Sequence, residues 1–322
     1  MTSSNSPSTS TEILDGALDT SVDRAIELLR ADRLIGLPTE TVYGLAGLAS
    51  SKLAVRKVFV VKKRPLDHPL ILHIASYEDL DNWAQDIPEY ARVICKRIWP
   101  GPLTIVLRRT NKVCDEITGG RETVAIRVPN HEVALRLLRK LDDGVVAPSA
   151  NRFGKVSPTT AQHVVDDLGS DVSAVLDGGV CLIGIESTIL DCTLSTPQLL
   201  RPGAISTEQI RDICGVAVEE SSGESRASGM LEKHYAPNCR VELAETHVDA
   251  EVRLEILKAD NRTAQILDFS GDLALFAANL YSSLRQADTQ GIQVVVVVVP
   301  PAIGLGVAIR DRLAKASQAT SL

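Results

Sequence analysis

Apolar positions in this chain recur at a spacing of three and four in some stretches and of two in others, so helix-like and strand-like segments alternate almost from the start. Val22, Ala25, Ile26 and Leu29 follow Thr20-Ser21-Val22-Asp23, which reads as a capping box, and Leu34-Ile35-Gly36-Leu37 then turns to strand character. The periodicity predicts further helices at about 51–61, 88–99, 131–141 and 160–168. It predicts strands at 70–74, 103–108, 124–128, 145–147, 174–177 and 187–191. Several of these strands follow one another with no helix between them, which favours a mixed, twisted sheet with packed helices over a purely parallel one. Glu219 to Gly229 carries almost nothing that can be buried and reads as a linker. Beyond it, strand 240–243, helix 247–259, strand 264–269, helix 272–287, strand 292–299 and helix 305–317 repeat as βαβαβα, the order of a small Rossmann-like parallel domain. The chain is therefore expected to be α/β, with a large N-terminal domain at 18–208, a linker at 209–239 and a small α/β domain at 240–322.

Composition narrows the chemistry. With 44% hydrophobic residues and a net charge of -7, the chain is globular and acidic, so any RNA contact has to be local. Cys95, Cys114, Cys181, Cys192, Cys214 and Cys239 are scattered without a CxxC pair, which reads as reduced thiols in a cytoplasmic protein. Met1 to Glu12 is rich in Ser and Thr with neither a basic start nor an apolar stretch, and is expected to be a disordered tail. Val294 to Val299 is too short to cross a bilayer and reads as a buried strand.

Candidate chemistry sits at strand ends. Lys62-Lys63-Arg64-Pro65 and Pro148-Ser149-Ala150-Asn151 place cations and small polar groups on two loops, either a phosphate site or a solvated helix end. In Pro38-Thr39-Glu40-Thr41-Val42-Tyr43-Gly44-Leu45, either Thr39 or Thr41 caps the next helix or the loop meets a ligand, and Glu40 is either a base or simply exposed. His73 in Leu70-Ile71-Leu72-His73-Ile74 reads as a core histidine, whereas His68 suits ligand or solvent equally. Arg127 in Val124-Ala125-Ile126-Arg127-Val128-Pro129 puts a guanidinium into a strand that should be buried. It needs an anion, either an internal carboxylate or a substrate carboxylate held bidentately. Glu186-Ser187-Thr188 and Leu200-Arg201-Pro202-Gly203 add hydroxyls and another arginine, so the set points to a cleft for an anion with more than one charged group. No P-loop, GxSxG or HExxH motif occurs, which disfavours covalent acyl transfer and zinc hydrolysis.

Taken in order with Trp99-Pro100-Gly101-Pro102-Leu103-Thr104, these motifs resemble the YrdC-like threonylcarbamoyl-AMP synthases. Gly229-Met230, His234-Tyr235-Ala236-Pro237, Gly304-Leu305-Gly306 and Asp311-Arg312-Leu313 are similar to the long form of that family, which has an added C-terminal domain. The resemblance implies synthesis of threonylcarbamoyl-adenylate and pyrophosphate from L-threonine, bicarbonate and ATP with Mg²⁺. Other proteins then use the product to modify an adenosine beside the tRNA anticodon. It implies that Arg64, His68, Thr123, Ser149, Asn151, Ser157, Arg201 and Tyr235 line the nucleotide side, with Lys62 and Arg64 catalytic at the phosphates. It implies that Thr41, His73, Arg127, Ala147 and Ser187 hold threonine, that no protein metal ligand is needed, and that the segment bearing Tyr235 closes over the cleft. Four positions depart from the family pattern: Lys63 stands where glycine is common, His68 where asparagine is common, and Ala227 occupies the serine of Ser-Pro-Gly-Met, with Ser228 at its proline. A competing reading is an RNA-binding module of the same fold with at most a weak tRNA contact. A third, a carbamoyl-transfer enzyme of hydrogenase maturation, requires zinc-finger and acylphosphatase-like modules that this sequence lacks.

Overall fold

The computed structural model describes residues 11–220 and 235–319. A mixed sheet of 12 strands forms the large unit. From one edge its path runs through Glu12–Asp15, Ala174–Asp177, Ile35–Leu37, Gly44–Leu48, Val145–Val146, Ile71–His73, Thr123–Arg127, Leu103–Arg109, Thr188–Asp191 and Gln198–Arg201 to Glu219–Glu220, with Ala84–Gln85 paired beside Leu103–Arg109. Some neighbours are parallel, as Ile71–His73 with Thr123–Arg127, and others antiparallel, as Ile35–Leu37 with Gly44–Leu48. Helices Lys52–Lys62 and Glu89–Ile98 bury Val55, Val58, Phe59, Ile94 and Cys95 in the main core, with Leu72, Val124 and Ile126 from the sheet. Asp19–Arg30 and Glu132–Leu141 close a second cluster around Ile35, Leu37 and Leu176.

The C-terminal unit has a parallel three-stranded sheet in the order Arg240–Ala244, Val294–Val298, Ala264–Leu267. Alternation along the all-valine central strand sorts its two faces. Val294, Val296 and Val298 pack with Ala250 and Leu257 of helix His247–Ala259. Val295 and Val297 pack with Phe276, Leu280 and Leu313 from helices Leu273–Thr289 and Leu305–Ala319. That second cluster continues into Val42, Val156, Ile185 and Tyr235, so the two units share one core at their junction. Gly184, at φ +78°, permits this approach, because a Cβ there would sit 2.4 Å from the Ala277 carbonyl oxygen.

Several expectations need correction. The helix beginning at Asp19 has Leu18 at its N-cap with no side-chain cap, so Thr20-Ser21-Val22-Asp23 does not form a capping box. Glu12 opens a strand parallel to Ala174–Asp177, so the tail ends before it. Gly44–Leu48 is a strand that its glycine-rich sequence, without a β-branched residue, concealed. Residues 209–220, expected as linker, carry the end of helix Thr207–Cys214 and a strand, Glu219–Glu220, paired with Gln198–Arg201. Gly229, Met230 and His234 lie outside the described residues.

Candidate functional site

Three parts of the large unit converge on one cleft. The register of two parallel strands sets His73 beside Arg127, and alternation puts Thr123, Ala125 and Arg127 on the face opposite Val124 and Ile126. The turn after Leu37 closes on itself. Thr39 Oγ1 accepts the amides of Thr41 and Val42 at 3.2 Å each and donates to the Val42 carbonyl at 2.6 Å, which fixes Thr41 under the Arg127 guanidinium. The third part is the antiparallel pair Thr188–Asp191 and Gln198–Arg201, where Arg201 donates through Nε and Nη2 to the Ser187 carbonyl at 3.1 and 2.9 Å.

The cleft lining includes Thr41, Arg64, His73, Arg127, Ala147, Ser149, Ser187, Arg201 and Tyr235. The cleft opens to solvent and narrows inward, leaving about 50 Å³ of free space at its interior. Five of the residues that the resemblance assigns to the site stand outside this lining. Thr123 shares the Arg127 face at the far end of its strand, about 13 Å away at the usual strand rise. His68 lies with its ring 5.7 Å from that of Phe153, over which the Arg64 guanidinium also sits at 5.6 Å. Lys62 is buried behind the cleft and donates to the carbonyls of Ser149 and, at 2.7 Å, Asn151, which fastens the 148–151 loop from below. Asn151 donates to the carbonyls of Arg152 and Lys155 at 2.8 Å each, leaving its buried Oδ1 without a hydrogen bond. Ser157 donates to Glu186 Oε1 at 2.6 Å.

Sequence reasoning missed the far wall. Glu186 Oε2 accepts from Arg312 Nε and from the Tyr281 hydroxyl, both at 2.9 Å and both from C-terminal helices. The Arg312 side chain is 0% exposed, and its guanidinium also lies 5.3 Å from the Tyr235 ring, which stacks on Tyr281 at 5.6 Å. A signal was present: Arg312 falls on an apolar helix face with Ala308, Ile309, Leu313 and Ala316, so it required a buried anion just as Arg127 did.

Electrostatics divide the cleft into two ends. Burial, then the neighbouring charge of Arg201, lowers Arg64 to about 10, and burial lowers Arg201 as well. Burial, then Arg64, pushes Lys62 well below the usual lysine value. These cations crowd one another and gain from a polyanion. Burial raises the Glu186 pKa, but Arg312 and Arg201 outweigh it and hold the carboxyl at about 2. At the other end Arg127 donates through Nη1 to Thr41 Oγ1 at 2.8 Å and through Nε to the Gly101 carbonyl at 3.3 Å, and its Nη2 lies 2.6 Å from Glu40 Oε2. Its anion is thus internal, while the guanidinium still faces the cleft.

Burial, then the charge of Arg127, pushes His73 down to about 3, so the imidazole is neutral at physiological pH. The unfolded chain takes up this proton near the ordinary value of 6.5, the folded one only near 3, so stability falls as pH drops from 6.5 towards 3. At pH 5 the loss from this residue should be about 2 kcal/mol relative to pH 7 and above. Urea unfolding of wild type and His73→Gln at both pH values checks it: the variant should lose correspondingly less between them.

Lys63, where the family commonly has glycine, adopts φ +54° at the C-cap of helix Lys52–Lys62. Glycine takes that left-handed conformation without strain, which accounts for the preference.

The chain is matched by two family models. One, the Sua5/YciO/YrdC family described as "Telomere recombination", covers residues 27–203; the other, described as "Threonylcarbamoyl-AMP synthase, C-terminal domain", covers residues 205–318. The chain is 39% identical over 315 residues to the threonylcarbamoyl-AMP synthase of Pyrococcus abyssi, covering 91% of this chain and 93% of that one. It is 37% identical over 323 residues to the protein of that name from Bacillus subtilis, covering 93% of each. The structure superposes on the crystal structure of P. abyssi Sua5 complexed with L-threonine with a TM-score of 0.90, at 37% identity over 96% of this chain and 98% of the other.

Proposed function

The chain belongs to the Sua5/YciO/YrdC family and carries the threonylcarbamoyl-AMP synthase C-terminal domain, and from this premise we infer that it makes threonylcarbamoyl-AMP and pyrophosphate from L-threonine, bicarbonate and ATP. The observation that supports this best is one cleft with two chemically different ends: an arginine paired with a carboxylate beside a neutral histidine, and a cluster of crowded guanidiniums. The same architecture in P. abyssi Sua5 is complexed with L-threonine. A basic RNA groove needs neither feature, which favours the synthase reading over a binding module.

In this reading the ammonium of threonine gives up a proton, and the free amine adds to the carbon of bicarbonate with loss of water, giving a carbamate. A carbamate oxygen then attacks the α-phosphorus, and the bond to pyrophosphate breaks. No protein nucleophile is needed. The chain's contribution is alignment and neutralisation of charge on the phosphate oxygens. Arg127, Thr41, His73, Ser187 and the backbone of Ala147 would hold threonine. Arg64 and Arg201 would hold the triphosphate, with Ser149 beside them and His68 and Thr123 towards the base. Lys62, fixed to carbonyls of the 148–151 loop, and Asn151 and Ser157 would shape that end from behind. Mg²⁺ would enter as part of the MgATP substrate and help to neutralise the phosphates. Tyr235 lines the cleft, and the segment that bears it would close over the site and exclude water from the adenylate. The product would pass to threonylcarbamoyl-transfer proteins acting on tRNA. No described helix is long and apolar enough to cross a membrane, and a cytoplasmic site of action accords with tRNA modification.

Pyrophosphate release tests the reaction: it should require threonine, bicarbonate and MgATP together, and release independent of threonine would contradict it. Arg64→Ala and Arg201→Ala should each lower kcat/KM for ATP by about a hundredfold, roughly 2–3 kcal/mol, by removing a donor fork from the phosphates. Steady-state kinetics with ATP varied would show this, and wild-type turnover in both variants would remove the assignment.

A further inference from the structure

Glu40 does not line the cleft, yet it is the carboxylate nearest the guanidinium that faces threonine in the proposed reaction, and the inference drawn here rests on that reading. Both side chains of the pair are 5% exposed and their atoms approach to 2.6 Å. The contact is off the hydrogen-bond axis: Arg127 Nη2 and both Glu40 oxygens are buried without an aligned hydrogen bond. Glu40 therefore supplies charge at close range rather than a directed hydrogen bond. Other titratable groups face Glu40 from two elements, Cys181 on the loop after Ala174–Asp177 and His131 before helix Glu132–Leu141. Burial, reinforced by Glu40, pushes the Cys181 thiol up to about 12, and burial lowers His131 although the Gly178 backbone and Glu40 oppose it. Neither thiol nor imidazole offers a charge at neutral pH, so Glu40 serves Arg127.

The two ends of the cleft then differ in net charge. In the lining at the Glu186 end, Arg64 and Arg201 stand with a single carboxylate, Glu186, which is itself paired with Arg312, while Arg312 has a second carboxylate in Asp311. At the other end Arg127 is balanced by Glu40, and His73 is neutral. A bare buried guanidinium would bind any small anion, including the bicarbonate and pyrophosphate of this reaction. An amino acid brings an ammonium along with its carboxylate and adds no net charge.

We propose that Glu40 is a positioning and specificity residue: by neutralising Arg127 it makes the threonine end of the cleft accept a zwitterion and reject simple anions. The device is a repulsive element aimed at the wrong ligand rather than an extra contact to the right one.

The test compares L-threonine with (R)-3-hydroxybutanoate, which is threonine without its amino group, by calorimetric titration of the full chain. Wild type should favour threonine by about tenfold or more, Glu40→Gln should reduce that preference to about threefold or less by gaining affinity for hydroxybutanoate, and Glu40→Asp should keep it. A threonine-to-hydroxybutanoate ratio in Glu40→Gln within about twofold of wild type overturns the proposal, whereas a merely structural role would weaken both ligands together. Wild type alone gives a second reading should Glu40→Gln not fold: acetate at about 100 mM should leave threonine affinity within about twofold, and competitive displacement overturns the proposal. Failure of wild type to bind threonine at all would instead count against the synthase reading, so the two failures are distinct.

Discussion

Replacing Arg312 by alanine is expected to destabilise the protein by about 3–5 kcal/mol, the range for breaking a buried ion pair from one side. Arg312 sits in the C-terminal unit, but its anion, Glu186, belongs to the wall of the cleft in the large unit. Deleting the guanidinium strands a carboxylate that is 7% exposed, with Ser157 and Tyr281 as its remaining donors. The pH dependence identifies the cause. Glu186 titrates at about 2 in the folded protein against an ordinary 4.5, so it stabilises the fold above 4.5 and loses that contribution as pH falls towards 2. The variant should lose most of this contribution, whereas a double variant Glu186→Gln, Arg312→Met should recover part of the stability at pH 7, because the buried pair is replaced by neutral groups although Arg201 loses the Glu186 charge. Urea unfolding at pH 7 and across the acid range measures both effects. An Arg312→Ala protein as stable as wild type would show that the units are not joined through this pair.

Arg127→Ala should weaken threonine binding by about 2–4 kcal/mol, roughly thirtyfold to a thousandfold, with ATP binding changed by less than about threefold. The guanidinium is held by Thr41, the Gly101 carbonyl and Glu40, so its orientation is set before any ligand arrives. Lysine should not substitute for it, because one ammonium cannot reproduce two separately directed hydrogen bonds together with a close ion pair. Isothermal titration with each substrate separates the two affinities. An unchanged threonine affinity would remove Arg127 from the threonine site.

The alternation of elements was legible in the sequence because core-facing apolar residues repeat with the period of the element that buries them. Helix 247–259 and strand 174–177 fall where periodicity placed them. Gly44–Leu48 was not legible, since a strand of glycine, alanine and leucine carries no β-branched residue or polar alternation and is specified by its neighbours instead. Among site residues, Arg127 announced itself as a cation in an apolar strand. Its true neighbour, Glu40, could not be chosen between base and exposed residue, because nothing local states that a turn residue folds under a strand 87 positions later. Arg312 broke an apolar helix face in the same way, but its partner lies in another unit, and contacts between units leave no periodic trace.

The most direct test of the central claim is the mass of the product formed from ATP, Mg²⁺, L-threonine and ¹³C-bicarbonate. Threonylcarbamoyl-AMP heavier by one mass unit than that made from unlabelled bicarbonate is the expected result, and it should disappear when threonine is omitted. Pyrophosphate accumulating without a threonine- and label-containing adenylate would contradict a cleft that brings the three substrates together.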